Sequence, residues 1–163
     1  KRIQIGIHNH SKDTPAHKLG LVNITPKTRI QMMLFAGNTS KLNAAVRFKN
    51  RRSYTMLGIG THYLDLNDKF SGCVFYRAGL YYPIASKLEL SGDLGYFHIE
   101  NFENEDAETP ERMYSLQARI NLEYKFKSRI SFFASGGYGM TRYYDKNKFY
   151  EKKPIFEAGV ILF

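Results

Sequence analysis

The residues from Met113 to Phe126 alternate between apolar and polar side chains without a break. The apolar set includes Tyr114 and Ile120, and the polar set includes Arg119. Because successive side chains of a β-strand point to opposite faces, this pattern predicts a strand with one apolar and one polar face. A strand of this length is well beyond the usual five or six residues of strands in soluble proteins. The feature constrains the chain to an all-β fold with unusually long strands.

The same alternation recurs on both sides of this segment and, more weakly, in the first fifty residues. It predicts a closed, antiparallel, up-and-down barrel of about ten strands, at residues 1–9, 17–24, 28–38, 42–50, 53–64, 71–83, 86–101, 113–126, 128–144 and 149–163. The alternative is eight strands that begin at Thr28, with an N-terminal segment outside the wall. No linker divides the chain and no spacing repeats cleanly, which predicts a single domain over residues 1–163.

Hydropathy determines how such a chain can cross a membrane. No stretch approaches the eighteen or so apolar residues of a membrane helix, and the mean hydropathy is −0.42. A membrane-spanning form would therefore be a closed barrel, because an open sheet edge leaves backbone groups unpaired in lipid. The predicted connections are short at 50–52, 83–85 and 126–128 and longer at 65–70, 101–112 and 145–148. Short turns at one rim and long loops at the other are typical of outer-membrane barrels, whose short turns face the periplasm.

Alternation alone does not decide which face is the lumen, since a lipocalin-like barrel is apolar inside and a membrane barrel is apolar outside. Tyr114 and Tyr124 bracket an aliphatic stretch that projects to roughly 23 Å on a strand tilted by about 45°. This length matches the lipid band of about 25 Å between aromatic girdles. The predicted girdle residues are Tyr82, Tyr114, Tyr124 and Phe126. The pattern favours an apolar exterior and a location in the outer membrane.

The chain ends at Phe163 after an alternating segment. A final strand with a terminal Phe resembles the C-terminal sorting signal of outer-membrane proteins. The chain thus resembles small outer-membrane β-barrel proteins of Gram-negative bacteria, and the resemblance implies insertion by the barrel assembly machinery. Counted back from Phe163, the alternation places Glu157 in lipid unless a bulge intervenes or Phe163 turns inward. The run Gly20-Leu21-Val22-Asn23 is similar to short repeats of some bacterial surface barrels and carries no functional implication.

Charged residues on the polar face form a candidate charge ladder in the lumen. Its members are Arg77, Glu89, Asp93, Arg119, Glu123 and Arg129. A turn near Ile84 would bring Arg77 close to Asp93, and a turn at Lys127 would bring Glu123 diagonally close to Arg129. We therefore expect a plugged lumen and no transport pore, since eight to ten strands leave an interior that side chains fill.

The formal net charge of +9 is distributed unevenly. The predicted short-turn rim gathers nine basic residues: Lys27, Arg29, Lys49, Arg51, Arg52, Lys87, Lys125, Lys127 and Arg129. The longest loop carries the carboxylates Glu103, Glu105, Asp106, Glu108 and Glu111, without the glycine-turn spacing of a calcium loop. The basic residues follow no helix or stripe, which disfavours nucleic acid. We expect a periplasmic basic rim that contacts outer-membrane lipid or an acidic subunit of a larger outer-membrane complex.

The histidines are the candidate metal ligands. His8 and His10 share one side of a predicted strand, with His17 nearby, a spacing that permits joint coordination. In the ten-strand topology all five histidines lie toward the extracellular rim. The three are weak candidates because the segment around them is polar and contains Pro15. We expect no metal site and no cofactor.

Three classes of function remain open. The favoured class is a non-enzymatic outer-membrane barrel, free-standing or an accessory subunit of a larger envelope complex. The second is an enzyme that modifies lipid A. Lipid A deacylases use a His and a Ser two residues apart, whereas His10 and Ser11 are adjacent and provide no activated nucleophile. The third is a soluble barrel that binds a small apolar ligand.

Two further features bear on the compartment. The sequence begins at Lys1 without a charged-then-apolar leader, so we expect either a mature product or a cytoplasmic chain. Because Cys73 is the single cysteine of the sequence, an internal disulfide and a cysteine-based metal cluster are excluded.

Overall fold

The computed structural model of the chain describes residues 3–5, 8–10, 17–19, 22–24, 26–63, 70–102, 112–144 and 149–163. Four short strands come first: β1 (Ile3–Ile5), β2 (His8–His10), β3 (His17–Leu19) and β4 (Val22–Ile24). Eight longer strands follow: β5 (Arg29–Gly37), β6 (Ser40–Lys49), β7 (Ser53–Tyr63), β8 (Ser71–Pro83), β9 (Leu88–Asn101), β10 (Arg112–Lys127), β11 (Ile130–Tyr143) and β12 (Phe149–Leu162). In this described part of the chain, no helix is long and apolar enough to cross a membrane.

Strands β5 to β12 form a closed barrel. Each strand pairs antiparallel with the next, and β12 pairs antiparallel with β5 to close the wall. The all-β, up-and-down barrel is confirmed, with the eight strands that begin after Thr28 in place of ten. The predicted first two strands correspond to β1–β4, which pair only with one another in the described strand ladders.

The alternation of the sequence becomes an alternation of burial across the barrel wall. On β10, Arg119 is 3% exposed and its neighbour Ile120 is 64% exposed. The same pattern extends over β5 and β9, where Met33 and Asp93 point inward and Leu34 and Leu94 point outward. Charged groups thus lie inside the barrel and aliphatic groups cover its outside, the reverse of a soluble barrel.

The connections divide the barrel into two ends. One end, here called the short-turn rim, comprises residues 50–52, 84–87 and 128–129 together with the start of β5 and the end of β12. The backbone closes it tightly: the N–H of Asn50 donates to the carbonyl of Ser53 at 2.8 Å, and that of Phe163 donates to the carbonyl of Arg129 at 3.1 Å. The opposite end, the loop rim, carries the connections between β7 and β8, β9 and β10, and β11 and β12.

The N-terminal strands show a repeat that the sequence analysis did not find. Strand β1 pairs parallel with β3, with Ile3 opposite His17, and β2 pairs parallel with β4, with His8 opposite Val22. Both pairings join residues fourteen positions apart. The sequence matches at the same offset, since Ile5-Gly6-Ile7 aligns with Leu19-Gly20-Leu21 and Asn9 aligns with Asn23. Because the two copies agree only at these few positions, the prediction that no spacing repeats cleanly stays a prediction.

Candidate functional site

Arg77 occupies the middle of the lumen and is 1% exposed. Its Nε donates to Asp93 Oδ1 at 2.9 Å and its Nη2 donates to Asp93 Oδ2 at 2.7 Å, which makes a bidentate pair between β8 and β9. Its Nη1 donates to Glu157 Oε2 on β12 at 3.1 Å, and Nη2 also donates to Asn121 Oδ1 at 3.1 Å. A guanidinium is suited to this position because its planar fork can serve two carboxylates at once.

The same network includes a second arginine. Arg119 Nη2 donates to Glu157 Oε1 at 2.9 Å, and its guanidinium carbon lies 4.8 Å from the centre of the Phe97 ring. Tyr54 donates its hydroxyl to Asp93 Oδ2 at 2.6 Å. Two arginines therefore face two carboxylates in this tier, so that the buried charges balance.

A second balanced tier lies nearer the short-turn rim. Arg47 Nη2 donates to Glu123 Oε2 at 2.8 Å, and Arg47 Nε donates to Gln31 Oε1 at 2.8 Å. Lys49 pairs closely with Glu89 and lies 3.9 Å from Glu123 Oε2. All four charged side chains are at most 8% exposed.

In each tier one ion pair spans the full width of the barrel. Arg47 on β6 reaches Glu123 on β10, and Arg77 on β8 reaches Glu157 on β12. The partners in both pairs are four strands apart in an eight-strand closed wall, so they stand on opposite sides. The strands of one pair are two strands away from those of the other. The two diametric ion pairs therefore lie along different diameters of the barrel.

Apolar side chains fill much of the remaining lumen. Phe35 packs against Phe75 with ring centres 5.9 Å apart and against Phe133 at 5.6 Å, and Phe75 stacks on Phe97 at 4.8 Å. Space for Phe75 comes from Gly58 on the adjacent strand, where an added Cβ would lie 2.2 Å from Phe75 Cζ. Only polar side chains were predicted for the lumen. The apolar ones could have been found from large apolar residues, such as Phe75 and Phe97, at strand positions whose side chains point inward.

The structure brings only part of the predicted charge ladder together. Arg77 and Asp93 make the contact expected from the β8–β9 turn, and Glu89, Arg119 and Glu123 also point inward. Arg129 is exposed in the β10–β11 turn, so its assignment to the lumen and to Glu123 was wrong. The reason is that Glu123 takes its partner from the opposite wall and not from the neighbouring strand.

Two residues of the lumen were assigned elsewhere or missed. Lys49 was placed in the basic rim, but its side chain points inward to Glu89. Glu157 was placed on the lipid face by counting back from Phe163; it is 6% exposed and points inward. Phe163 follows the last strand residue, Leu162, and is 41% exposed, so the alternation does not extend to it. Its role as a sorting signal stays a prediction.

The remaining basic residues of the short-turn rim form an exposed set, here called the basic ring. It consists of Lys27, Arg29, Arg51, Arg52, Lys87, Lys127 and Arg129, with Lys125 half-buried beside them. Among the described residues, the two carboxylates near this rim are Glu89 and Glu123, and both are turned into the lumen. Positive charge is therefore presented to solvent here, while the described Glu side chains of this rim face the lumen.

Aromatic residues on the outer face flank the aliphatic band. Tyr82, Tyr124 and Phe126, three of the predicted girdle residues, are exposed near the short-turn rim. Tyr114 lies near the loop rim, where it stacks on Tyr96 with ring centres 6.2 Å apart and contacts Tyr144 at 5.2 Å. Both ends of the apolar band thus carry the amphipathic rings that favour a membrane interface.

A small polar cluster lies within the loop-rim girdle. His98 Nδ1 is 3.1 Å from the hydroxyl of Tyr144, which also bonds closely to the hydroxyl of Tyr96. Burial and the hydrogen bond with Tyr96 raise the pKa of Tyr144 to about 12. The neutral hydroxyl of Tyr144 can both donate and accept a hydrogen bond in this cluster.

The histidines predicted as metal ligands, His8, His10 and His17, belong to the short strands β1–β3, which are not part of the barrel wall. Their side chains, and that of His62, fall outside the described residues, so the absence of a metal site stays a prediction. Among the side chains that are described, no group of three or more His, Cys, Asp or Glu is arranged to hold a metal ion. Cys73 is a free, buried thiol. The acidic loop 103–111 also lies outside the described residues.

A closed wall, an apolar exterior with aromatic borders and a charged, self-neutralised interior together define a class of protein. The chain is a small outer-membrane β-barrel, because its exterior requires lipid and only a closed sheet satisfies the backbone there. This class places it in the bacterial outer membrane.

Comparison with solved structures gives the same fold. The N-terminal β-barrel domain of OprF from Pseudomonas aeruginosa is similar over 82% of this chain and 95% of that one, with 15% identity and a TM-score of 0.61. Neisserial surface protein A is similar over 82% of this chain and 93% of that one, with 9% identity and a TM-score of 0.49. No protein-family model matches the sequence, and no curated protein matches it either.

Proposed function

We propose that this barrel is a sealed, non-enzymatic membrane anchor that does not conduct ions or solutes. The observation that carries the proposal is the pair of crossed diametric ion pairs, Arg47 with Glu123 and Arg77 with Glu157. Each pair bridges opposite walls, so a solute that entered from either rim would have to break both. The packed Phe35, Phe75 and Phe97 rings occupy space between the walls that a pore would leave to water.

Electrical balance supports the proposal. The two tiers contain four basic and four acidic side chains, all almost completely buried. Water-filled pores commonly place charges on the wall to select ions, and those charges remain solvated. Here each charge instead has an opposite charge within ion-pair distance, as expected where water is excluded.

Planar-bilayer recording tests the seal. The purified, refolded wild type should give no discrete conductance steps. The double variant Arg77→Ala/Glu157→Ala, which removes one diametric pair, should admit water and give brief openings if it inserts. The matched control Arg51→Ala/Arg52→Ala lies outside the lumen and should stay silent. Reproducible steps from the wild type that change amplitude in the double variant would contradict the sealed state.

We further propose that the anchor serves a larger envelope complex as an accessory subunit. The lumen of this barrel is filled with side chains and offers no binding site, so a partner would bind at the rims. Crosslinking in intact cells from single cysteines at the two rims, followed by gentle detergent extraction, should recover a higher-mass adduct. Recovery of the monomer alone from every rim position would instead establish a free-standing barrel.

A further inference from the structure

The basic ring is distributed around the whole circumference of the short-turn rim. An eight-strand barrel has four positions at such a rim, namely three turns and the gap where β12 meets β5. Arg29 lies at that gap, Arg51 in the β6–β7 turn, Lys87 in the β8–β9 turn and Arg129 in the β10–β11 turn. All four positions therefore carry an exposed cation.

The ring is also at the height of the lipid interface. The Lys127 ammonium lies 5.6 Å from the centre of the Phe126 ring, which is 53% exposed on the outer face. Phe126 packs edge-to-face against Phe132, another exposed ring of the same band. Lys127 thus borders the aromatic girdle, where phospholipid phosphates are found in a bilayer.

We infer that the basic ring binds the phosphates of anionic glycerophospholipids in the inner leaflet of the outer membrane. A leaflet surrounds the barrel on every side, whereas a docked protein would contact one sector of the rim. Cations at all four positions, with the nearby carboxylates Glu89 and Glu123 turned inward, fit the surrounding partner. The inference rests on the proposed function only in requiring that the barrel lies in a bilayer.

The loop rim provides a natural comparison within the same molecule. There, Arg112 pairs with Glu100 at 3.3 Å and Lys153 pairs with Glu151 at 3.2 Å. Positive charge at that end is thus partly offset by solvent-accessible carboxylates of the described chain, whereas Glu89 and Glu123 near the basic ring are turned into the lumen. Neutralisation of basic residues at the short-turn rim should therefore weaken the binding of anionic lipid more than the same loss of charge at the loop rim.

Spin-labelled lipid binding to the reconstituted barrel tests the inference. The probes are spin-labelled phosphatidylglycerol and phosphatidylcholine, and the signal is the fraction of each that is immobilised at the protein. Wild type should favour phosphatidylglycerol by about threefold or more at low salt. The preference should nearly vanish between about 0.01 M and about 1 M salt, over which the Debye length falls from about 30 Å to about 3 Å.

Two triple variants with the same change in charge locate the effect. Arg51→Gln/Arg52→Gln/Lys127→Gln should lose most of the preference, and Lys41→Gln/Arg112→Gln/Lys152→Gln should keep most of it. Folding of each is verified by heat-modifiable gel migration, and the salt dependence of the wild type tests the inference if a variant fails to fold. The inference would be overturned if both variants lost the phosphatidylglycerol preference equally, or if the wild type showed no such preference. If the wild type shows no lipid preference, and an acidic protein co-purifies with it but not with the ring variant, the basic ring binds a protein instead. Each of these results is independent of the conductance measurement, so the seal and the lipid contact can fail separately.

Discussion

At the scale of single residues, the lumen shows how a charge can be placed in a narrow barrel. Arg77 has two carboxylates and one amide as acceptors, so its fork is almost fully used. The sequence predicts that Arg77 points inward, since alternation fixes its face. It does not predict Glu157 as a partner, because contacts across the lumen depend on how the wall closes and not on the neighbouring strand.

Replacement of Arg77 by Ala should be strongly destabilising. It leaves Asp93 without its bidentate partner and removes one of the two arginines at Glu157, in a site that is 1% exposed at Arg77. Loss of one partner of a buried ion pair typically costs about 3–5 kcal/mol. Urea unfolding of the barrel in detergent measures this cost. The control Arg129→Ala removes an exposed charge and should change stability by less than about 0.5 kcal/mol. Equal unfolding midpoints for Arg77→Ala and the wild type would mean that water enters the site.

At the scale of elements, the seam between β12 and β5 is the shortest ladder of the barrel. It pairs Met32–Gly37 with Glu157–Leu162, six residues on each strand, whereas the β9–β10 ladder extends over thirteen. The seam has the fewest ladder pairs, and Asn38 extends it only at the loop rim through bonds with Pro154 and Phe156. Local opening should therefore begin at the seam. The strand limits of β8 to β12 agree with the sequence prediction within three residues, because long alternation leaves little freedom in register.

Hydrogen exchange in detergent should reveal this weakness. Amides of residues 32–37 and 157–162 should exchange faster than those of residues 115–123 on β10, because the seam can open without disturbing the longer ladders. Mass spectrometry of peptides resolves the two groups. The two-residue β10–β11 turn gives a nearby internal standard for full exposure. Uniform protection around the wall would contradict a weak seam.

The segment before β5 shows where prediction from alternation stops. Segments at 1–9 and 17–24 carry enough β-pattern to suggest wall strands, but their strands are three residues long and pair fourteen positions apart with one another. Alternation predicts that a residue lies in a strand, but it does not predict which strand pairs with it. Here the pairing follows the fourteen-residue offset between the two similar segments, which period-two alternation does not reveal.

At the scale of the whole molecule, the difference between the rims predicts a single orientation. Short turns of outer-membrane barrels face the periplasm, so the basic ring should lie inside the cell envelope and the acidic 103–111 loop outside. Single cysteines in a Cys73→Ser background report this: Asn104→Cys should react with an impermeant maleimide on intact cells. Ser86→Cys, in the exposed β8–β9 turn, should react only after the outer membrane is permeabilised. The reverse pattern would invert the assignment of both rims.

The crossed ion pairs have a mechanical consequence for a thin tube under lateral pressure. A ring of eight strands can flatten into an ellipse along any diameter, and a single tie resists flattening along only one. Arg47 with Glu123 and Arg77 with Glu157 tie two different diameters in two tiers of the lumen. Flattening that lengthens either of these diameters strains an ion pair, so the cross-section should resist being drawn out in more than one direction. The shape of the lumen should therefore vary little between membranes that press on the barrel differently.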